Sequence, residues 1–218
     1  MPSDDAAQVL RLWPTLMLRH RLPGADAANG VLLELIEEGE AKDAQLTTNY
    51  LEREFFEAEH LAVAWLRDCI NRAVIDYIRA TGIDYELKWT LQGWANVNRF
   101  GDYHNLHNHP RAWLSGTYYV KVPAQPGNQP GNQPGDLPGR EDRTPGAISF
   151  FDPRPQANML AVRGDPQVEA EYRVLPAAGE IFLWPAFLHH LVHPNLAQET
   201  RVSVSFNVML KWSDAYLP

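Results

Sequence analysis

Residues 200–212 read TRVSVSFNVMLKW, and this stretch decides the fold class. In an extended strand, side chains alternate between the two faces. Arg201, Ser203, Ser205 and Asn207 therefore share one face, and Val202, Val204, Phe206 and Val208 share the other. Just before it lies a histidine-rich turn, FLHHLVHPN, at 187–195. An arginine on the inner face of a β-barrel needs an anionic partner, because an unpaired buried charge is costly. A bidentate carboxylate would satisfy it. A polar, solvent-facing strand is the alternative that this pattern leaves open.

Working outward, strand-like runs rich in Val, Ile, Tyr, Phe and Trp alternate with Pro and Gly. They are ELKWTLQGWANVNRF (86–100), WLSGTYYVKVP (113–123), GAISFFDP (146–153), EYRVLP (171–176) and GEIFLWP (179–185). Upstream the periodicity is helical. Residues 30–42 (GVLLELIEEGEAK) predict one helix and residues 52–81 a longer one, with Gly82 as its stop signal. Trp13, Pro14 and Leu16 suggest a short edge strand. A helical part (1–85) followed by many short strands (86–218) indicates one α+β domain, mainly β, with a sandwich or barrel core. The segment 123–146, with PGNQ twice and PG recurring, predicts a flexible surface loop, either a lid or an expanded hairpin.

Composition narrows the function. The formal net charge of −8 argues against a nucleic-acid partner, whose attraction is mainly a phosphate effect. The single cysteine, Cys69, excludes an internal disulfide. No apolar run is long enough to span a membrane, and the acidic N-terminus lacks a secretory pattern; a cytoplasmic protein is expected.

Six of the eight histidines fall in two clusters: His104, His107 and His109 in GDYHNLHNHP, and His189, His190 and His193 in the later turn. Positions i and i+2 of a strand point the same way, so His107 and His109 can present two imidazoles to one interior point. A third from the distant cluster would complete a facial set suited to Fe, Zn, Cu or Ni. Core or surface histidines are the competing explanation.

Residues 90–212 resemble the iron- and 2-oxoglutarate-dependent oxygenases, and within them a group of small bacterial and phage members. The carriers are SGTYYVKVP, FFDPR, FLHHLVHPN and RVSVSFN, with Asn98-Arg99-Phe100 resembling the Asn-Arg-Tyr of the dealkylase branch. The resemblance implies a double-stranded β-helix (jelly-roll) core with the N-terminal helices packed outside. It implies iron(II), 2-oxoglutarate as co-substrate and molecular oxygen, for a hydroxylase-type oxidation. Phe100-Gly101 six positions before it makes His107 the first ligand, and His190 best matches the distal one. His109 stands where the family carries Asp or Glu, with Asp102 and Asp152 as acidic substitutes of unsuitable spacing. Arg201 and Ser203 match the pair that grips the co-substrate's distal carboxylate, Tyr119 the tyrosine that reaches it, and Asn98 a residue touching the co-substrate near the metal.

A cupin-type metal dioxygenase without 2-oxoglutarate competes with this reading. Gly101 to His109 opens like the first cupin motif, and Gly179, Pro185 and His190 fit most of the second, but Ala112-Trp113-Leu114 lacks the expected glutamate. A zinc hydrolase and a non-catalytic metal-binding module are further alternatives. Arg201 with Ser203 discriminates, because only the oxygenase gives that pair a task. The sequence names neither the substrate, small molecule or peptide, nor the oligomeric state.

Overall fold

The computed structural model describes residues 14–41, 47–48, 55–124, 144–154, 162, 164–165 and 167–213. Two helices precede most of the strands. Strand β1 is Leu18–Arg21, helix α1 is Ala25–Glu40 and helix α2 is Leu61–Thr81. The remaining strands are β2 (Trp89–Asn98), β3 (His104–His107), β4 (Leu114–Lys121), β5 (Ile148–Phe151), β6 (Glu171–Val174), β7 (Glu180–Pro185), β8 (His190–Val192) and β9 (Arg201–Leu210).

The strands form two antiparallel sheets, ordered β1-β7-β4-β9-β2 and β3-β8-β5-β6. The longest ladder pairs β2 with β9 over ten residues, from Trp89↔Leu210 to Asn98↔Arg201. The two faces of the larger sheet have different neighbours. Val202, Val204, Phe206 and Val208 join a core cluster with Leu32, Leu66 and Ile70, so the helices cover that face. On the other face Tyr119, Phe182 and Trp184 pack against Ile148, Phe150 and Val192 of the smaller sheet. Double coverage explains why β4 is buried at seven of its eight positions. It also puts the polar face of β9 inside the protein and not toward solvent.

The elements depart from the sequence reading at their ends. Helix α1 begins at Ala25, five residues before Gly30. A Cβ on Gly30 would meet nothing within 4 Å, so glycine there costs helix propensity but no packing. The second helix starts at Leu61 and not at 52, because the His60 ring accepts the Ala62 amide and caps it. Phe55–Glu57 forms a 3₁₀ turn that turns Phe56 onto Gly93, where a Cβ would come within 2.3 Å of its ring. Gly82 ends α2 in the left-handed conformation, φ 77°. The first strand lies at Leu18–Arg21, beyond Pro14 and Leu16, while Trp13 is outside the described residues. The Pro/Gly-rich segment also lies outside them, apart from 123–124 and 144–146. Among the described residues no helix is long and apolar enough to cross a membrane.

Candidate metal and co-substrate site

Between the sheets lies a cavity of about 350 Å³, lined from the smaller sheet by His104, His107 and His190 and from the larger by Tyr119, Arg201 and Ser203. Its position follows from the strand pattern. The odd-numbered residues of β9 face inward, and β3 and β8 pair so that His107 lies opposite His190.

One nitrogen from each of His107, His109 and His190 falls within 4.8 Å of the other two, the one such metal-competent cluster among the described residues. The Nε2 atoms of His109 and His190 are 3.4 Å apart. The far side of two rings is held. His107 Nδ1 lies 2.6 Å from the Asn105 carbonyl and His190 Nδ1 3.0 Å from the Leu188 carbonyl. Carbonyls only accept, so both Nδ1 atoms carry a proton, which leaves Nε2 as the nitrogen of each ring that can ligate. This is the supporting arrangement that metal-binding histidines use. His109 lacks such a carbonyl and lies against the Trp94 ring, centroids 5.9 Å apart. Burial lowers the pKa of His109 to about 4 and of His190 to about 3, with the neighbouring imidazoles adding repulsion. Both are therefore neutral at pH 7, the form that binds metals.

Arg201 is 1% exposed. Its guanidinium lies 5.0 Å above the Tyr119 ring and donates from Nη1 to Asn98 Oδ1 at 3.2 Å. Its Nε and Nη2, and the Tyr119 hydroxyl, are buried with no hydrogen-bond partner among the described residues. No carboxylate pairs with this guanidinium there. Burial pulls the Arg201 pKa down, and burial also raises the Tyr119 phenol to about 12, so the phenol stays neutral. Two guanidinium nitrogens and a phenol hydroxyl, all buried, are available to an anion.

Asn98 does not line the cavity. Its Oδ1 takes Arg201, its Nδ2 lies 3.3 Å from His104 Nε2, and its carbonyl accepts from Asn195 Nδ2 at 3.0 Å. It orients Arg201 from behind. His104, expected to stand behind the metal ligands or on the surface, lines the cavity, and burial lowers its pKa to about 4. His189 is exposed, and His193 bonds Ser149 Oγ at 2.7 Å, away from the triad. Neither acidic substitute reaches the site: Asp102 accepts the Arg99 amide and Asp152 is bound by Arg154. The sequence reading missed the inward polar residues of neighbouring strands, Asn96 and Thr117. Asn96 Nδ2 donates to Ser205 Oγ at 2.9 Å, and Thr117 Oγ1 lies 3.1 Å from the same atom. Alternation within WANVN and SGTYY held that signal.

Fold and site together describe an oxidative metalloenzyme with a carboxylate co-substrate. A family model described as "Putative 2OG-Fe(II) oxygenase" matches residues 92–207, more than half of the chain. The chain belongs to this family of 2-oxoglutarate- and iron(II)-dependent oxygenases. Similar solved structures include a prolyl 4-hydroxylase of Pseudomonas putida, with TM-score 0.56 and 16% identity over 90% of this chain and 88% of that one. HygX of Streptomyces hygroscopicus, crystallised with nickel and 2-oxoglutarate, gives TM-score 0.55 and 13% identity over 89% and 82%. The epimerase SnoN of nogalamycin biosynthesis gives 0.51 and 14% over 88% and 76%. At these identities the likeness is one of fold. No protein of curated function matches the chain.

Proposed function

We propose that this oxygenase holds iron(II) with His107, His109 and His190 and grips the distal carboxylate of 2-oxoglutarate with Arg201, Ser203 and Tyr119. The two sheets are then the halves of a double-stranded β-helix, with the reaction between them. One observation carries the assignment. A fully buried guanidinium with two unpartnered nitrogens opens onto the same cavity as three clustered imidazoles. A desolvated cation of this kind is costly unless a ligand completes it.

The residues fit the implied cofactor. Three neutral imidazoles form a donor set suited to iron(II). When bound, iron with 2-oxoglutarate and oxygen supplies a two-electron oxidation of the substrate, coupled to conversion of the co-substrate to succinate and carbon dioxide. The protein's part is positional. Asn98 locks the guanidinium. The Asn105 and Leu188 carbonyls fix two imidazoles in the ligating tautomer. Phe150 and Trp184, with ring centroids 4.9 Å apart, wall off His190 from water. Cupin and zinc-hydrolase alternatives leave Arg201 without a task.

The test is anaerobic absorption spectroscopy of purified protein. A weak visible charge-transfer band should appear only when iron(II) and 2-oxoglutarate are both present. Its absence at millimolar co-substrate would refute the proposal.

A further inference from the structure

The charges around the cavity do not cancel. Among the described residues no aspartate or glutamate lines it. The three clustered histidines contribute nothing once they hold the metal, since imidazole ligates in its neutral form. The Tyr119 phenol is un-ionised. Arg201 contributes one positive charge. If iron(II) and 2-oxoglutarate bind as proposed above, on which this inference rests, a divalent cation and a dianion cancel each other. One positive charge then remains in a desolvated chamber. Asp102, felt electrostatically at His104, stands outside the lining with its carboxylate on the Arg99 amide.

The chamber also extends past the co-substrate's seat. Along β9 the inward series runs from Arg201 to Asn207, six residues or roughly 20 Å at ~3.3 Å per residue. Trp94 packs on His109 and pairs in register with Ser205, so the cavity continues beyond the triad toward Asn207. Donors and hydroxyls line that end: Asn96, Thr117, Ser205 and Asn207. Ser115 Oγ donates to Asn207 Oδ1 at 2.6 Å, which turns the amide so that this contact leaves its Nδ2 donor unused.

We infer that the substrate is a small organic monoanion, such as a carboxylate, whose charge offsets the residual positive charge and whose polar groups meet the amide and hydroxyl end of the chamber. A neutral or cationic substrate would leave a buried charge uncompensated. Acidic side chains on a peptide offer the same chemistry, but the cavity is lined from both sheets and is small, which favours a free molecule.

Acetate and acetamide are close in shape and differ in charge, so they isolate the electrostatic requirement. Each is titrated anaerobically into protein saturated with iron(II) and 2-oxoglutarate, following the visible charge-transfer band. Absence of the band before any addition is failure of the site assignment itself, and is distinct from the outcomes that follow. Acetate should shift the band without removing it, with at least about tenfold tighter binding than acetamide. Asn207→Asp places a fixed carboxylate at the far end without touching the triad, and should abolish the preference while keeping the band. Equal responses to the two probes overturn the inference. So does loss of the band with acetate, which would mean that the anion only displaces the co-substrate. So does an unchanged preference in Asn207→Asp.

Discussion

His109 and His190 lie 81 residues apart in the chain, yet their Nε2 atoms are 3.4 Å from each other. No carbonyl fixes the His109 tautomer, so without metal its Nε2–H can donate to the His190 Nε2 lone pair, and with metal both nitrogens can turn their lone pairs to one cation beside His107. Alanine at His107 or His190 should lower iron(II) or manganese(II) affinity by more than the ~10–100-fold typical of losing a supporting partner. His109→Ala should cost less, because its ring lacks a carbonyl to hold it. Metal analysis after dialysis checks the order, and full occupancy in His107→Ala would remove that residue from the ligand set.

The same burial sets a pH dependence for the metal-free protein. His104, His109 and His190 have folded-state pKa values near 4, 4 and 3, below the ordinary 6.5. The unfolded chain takes up protons below pH 6.5 that the folded chain refuses. Stability should therefore fall as pH drops through 6.5 toward 4, and be insensitive to these groups above 7. Thermal melts of metal-free protein at pH 7.5, 6 and 5 test this. The window avoids Asp152 and Glu171, whose lowered pKa values act at lower pH. An unchanged melting temperature across it would contradict the account.

Asn98 offers a separation of stability from function. Its Oδ1 already accepts from Arg201 at 3.2 Å. Asn98→Asp would give the guanidinium a permanent carboxylate partner, and a hydrogen bond to a charged group contributes about 1.5–3 kcal/mol. The metal-free variant should melt several degrees higher, at roughly 2–4 °C per kcal/mol for a chain of this size. It should bind 2-oxoglutarate at least about tenfold more weakly, because the new carboxylate already neutralises the guanidinium. A variant that gains stability and binds normally would show that the guanidinium holds something else.

Gly116 tests the packing between the large sheet and its helices. A Cβ there would lie 2.2 Å from the Phe206 ring and 2.6 Å from the Phe182 carbonyl. The ring could shift, but the carbonyl belongs to strand β7 and cannot do so without breaking its ladder. Gly116→Ala should destabilise by about 1–3 kcal/mol or more, measured by denaturant melts. A neutral effect would mean that β4 and β7 are looser than they stand.

The alternation in residues 201–208 separated the cavity-lining face from the helix-covered one because a period of two survives in any sheet. The three histidines that the spacing singled out converge, with one nitrogen of each within 4.8 Å of the others. What the sequence concealed was topological. Strands β3 and β8 are four and three residues long and built of His, Asn, Leu and Val, too short for periodicity to register. So the sequence left open whether His104 stands behind the metal ligands or on the surface, and the fold puts it in the cavity lining. Asn98 was placed inside because its neighbours in sequence carry the resemblance; only the ten-residue pairing with β9 shows it set beside Arg201. The long helix was overextended through Phe55, since no Gly or Pro marks the break that His60 makes by capping α2.

The central claim is that Arg201 exists to receive a carboxylate from the co-substrate. Titration calorimetry of 2-oxoglutarate into manganese(II)-loaded protein measures it directly. Losing a charged partner in a desolvated pocket costs ~2–5 kcal/mol. At about 1.4 kcal/mol per tenfold, Arg201→Ala should weaken binding by roughly 30-fold or more, with manganese still bound. Arg201→Lys should recover only part of that, since it keeps the charge and loses the fork. Equal affinity in wild type and Arg201→Ala would contradict the account.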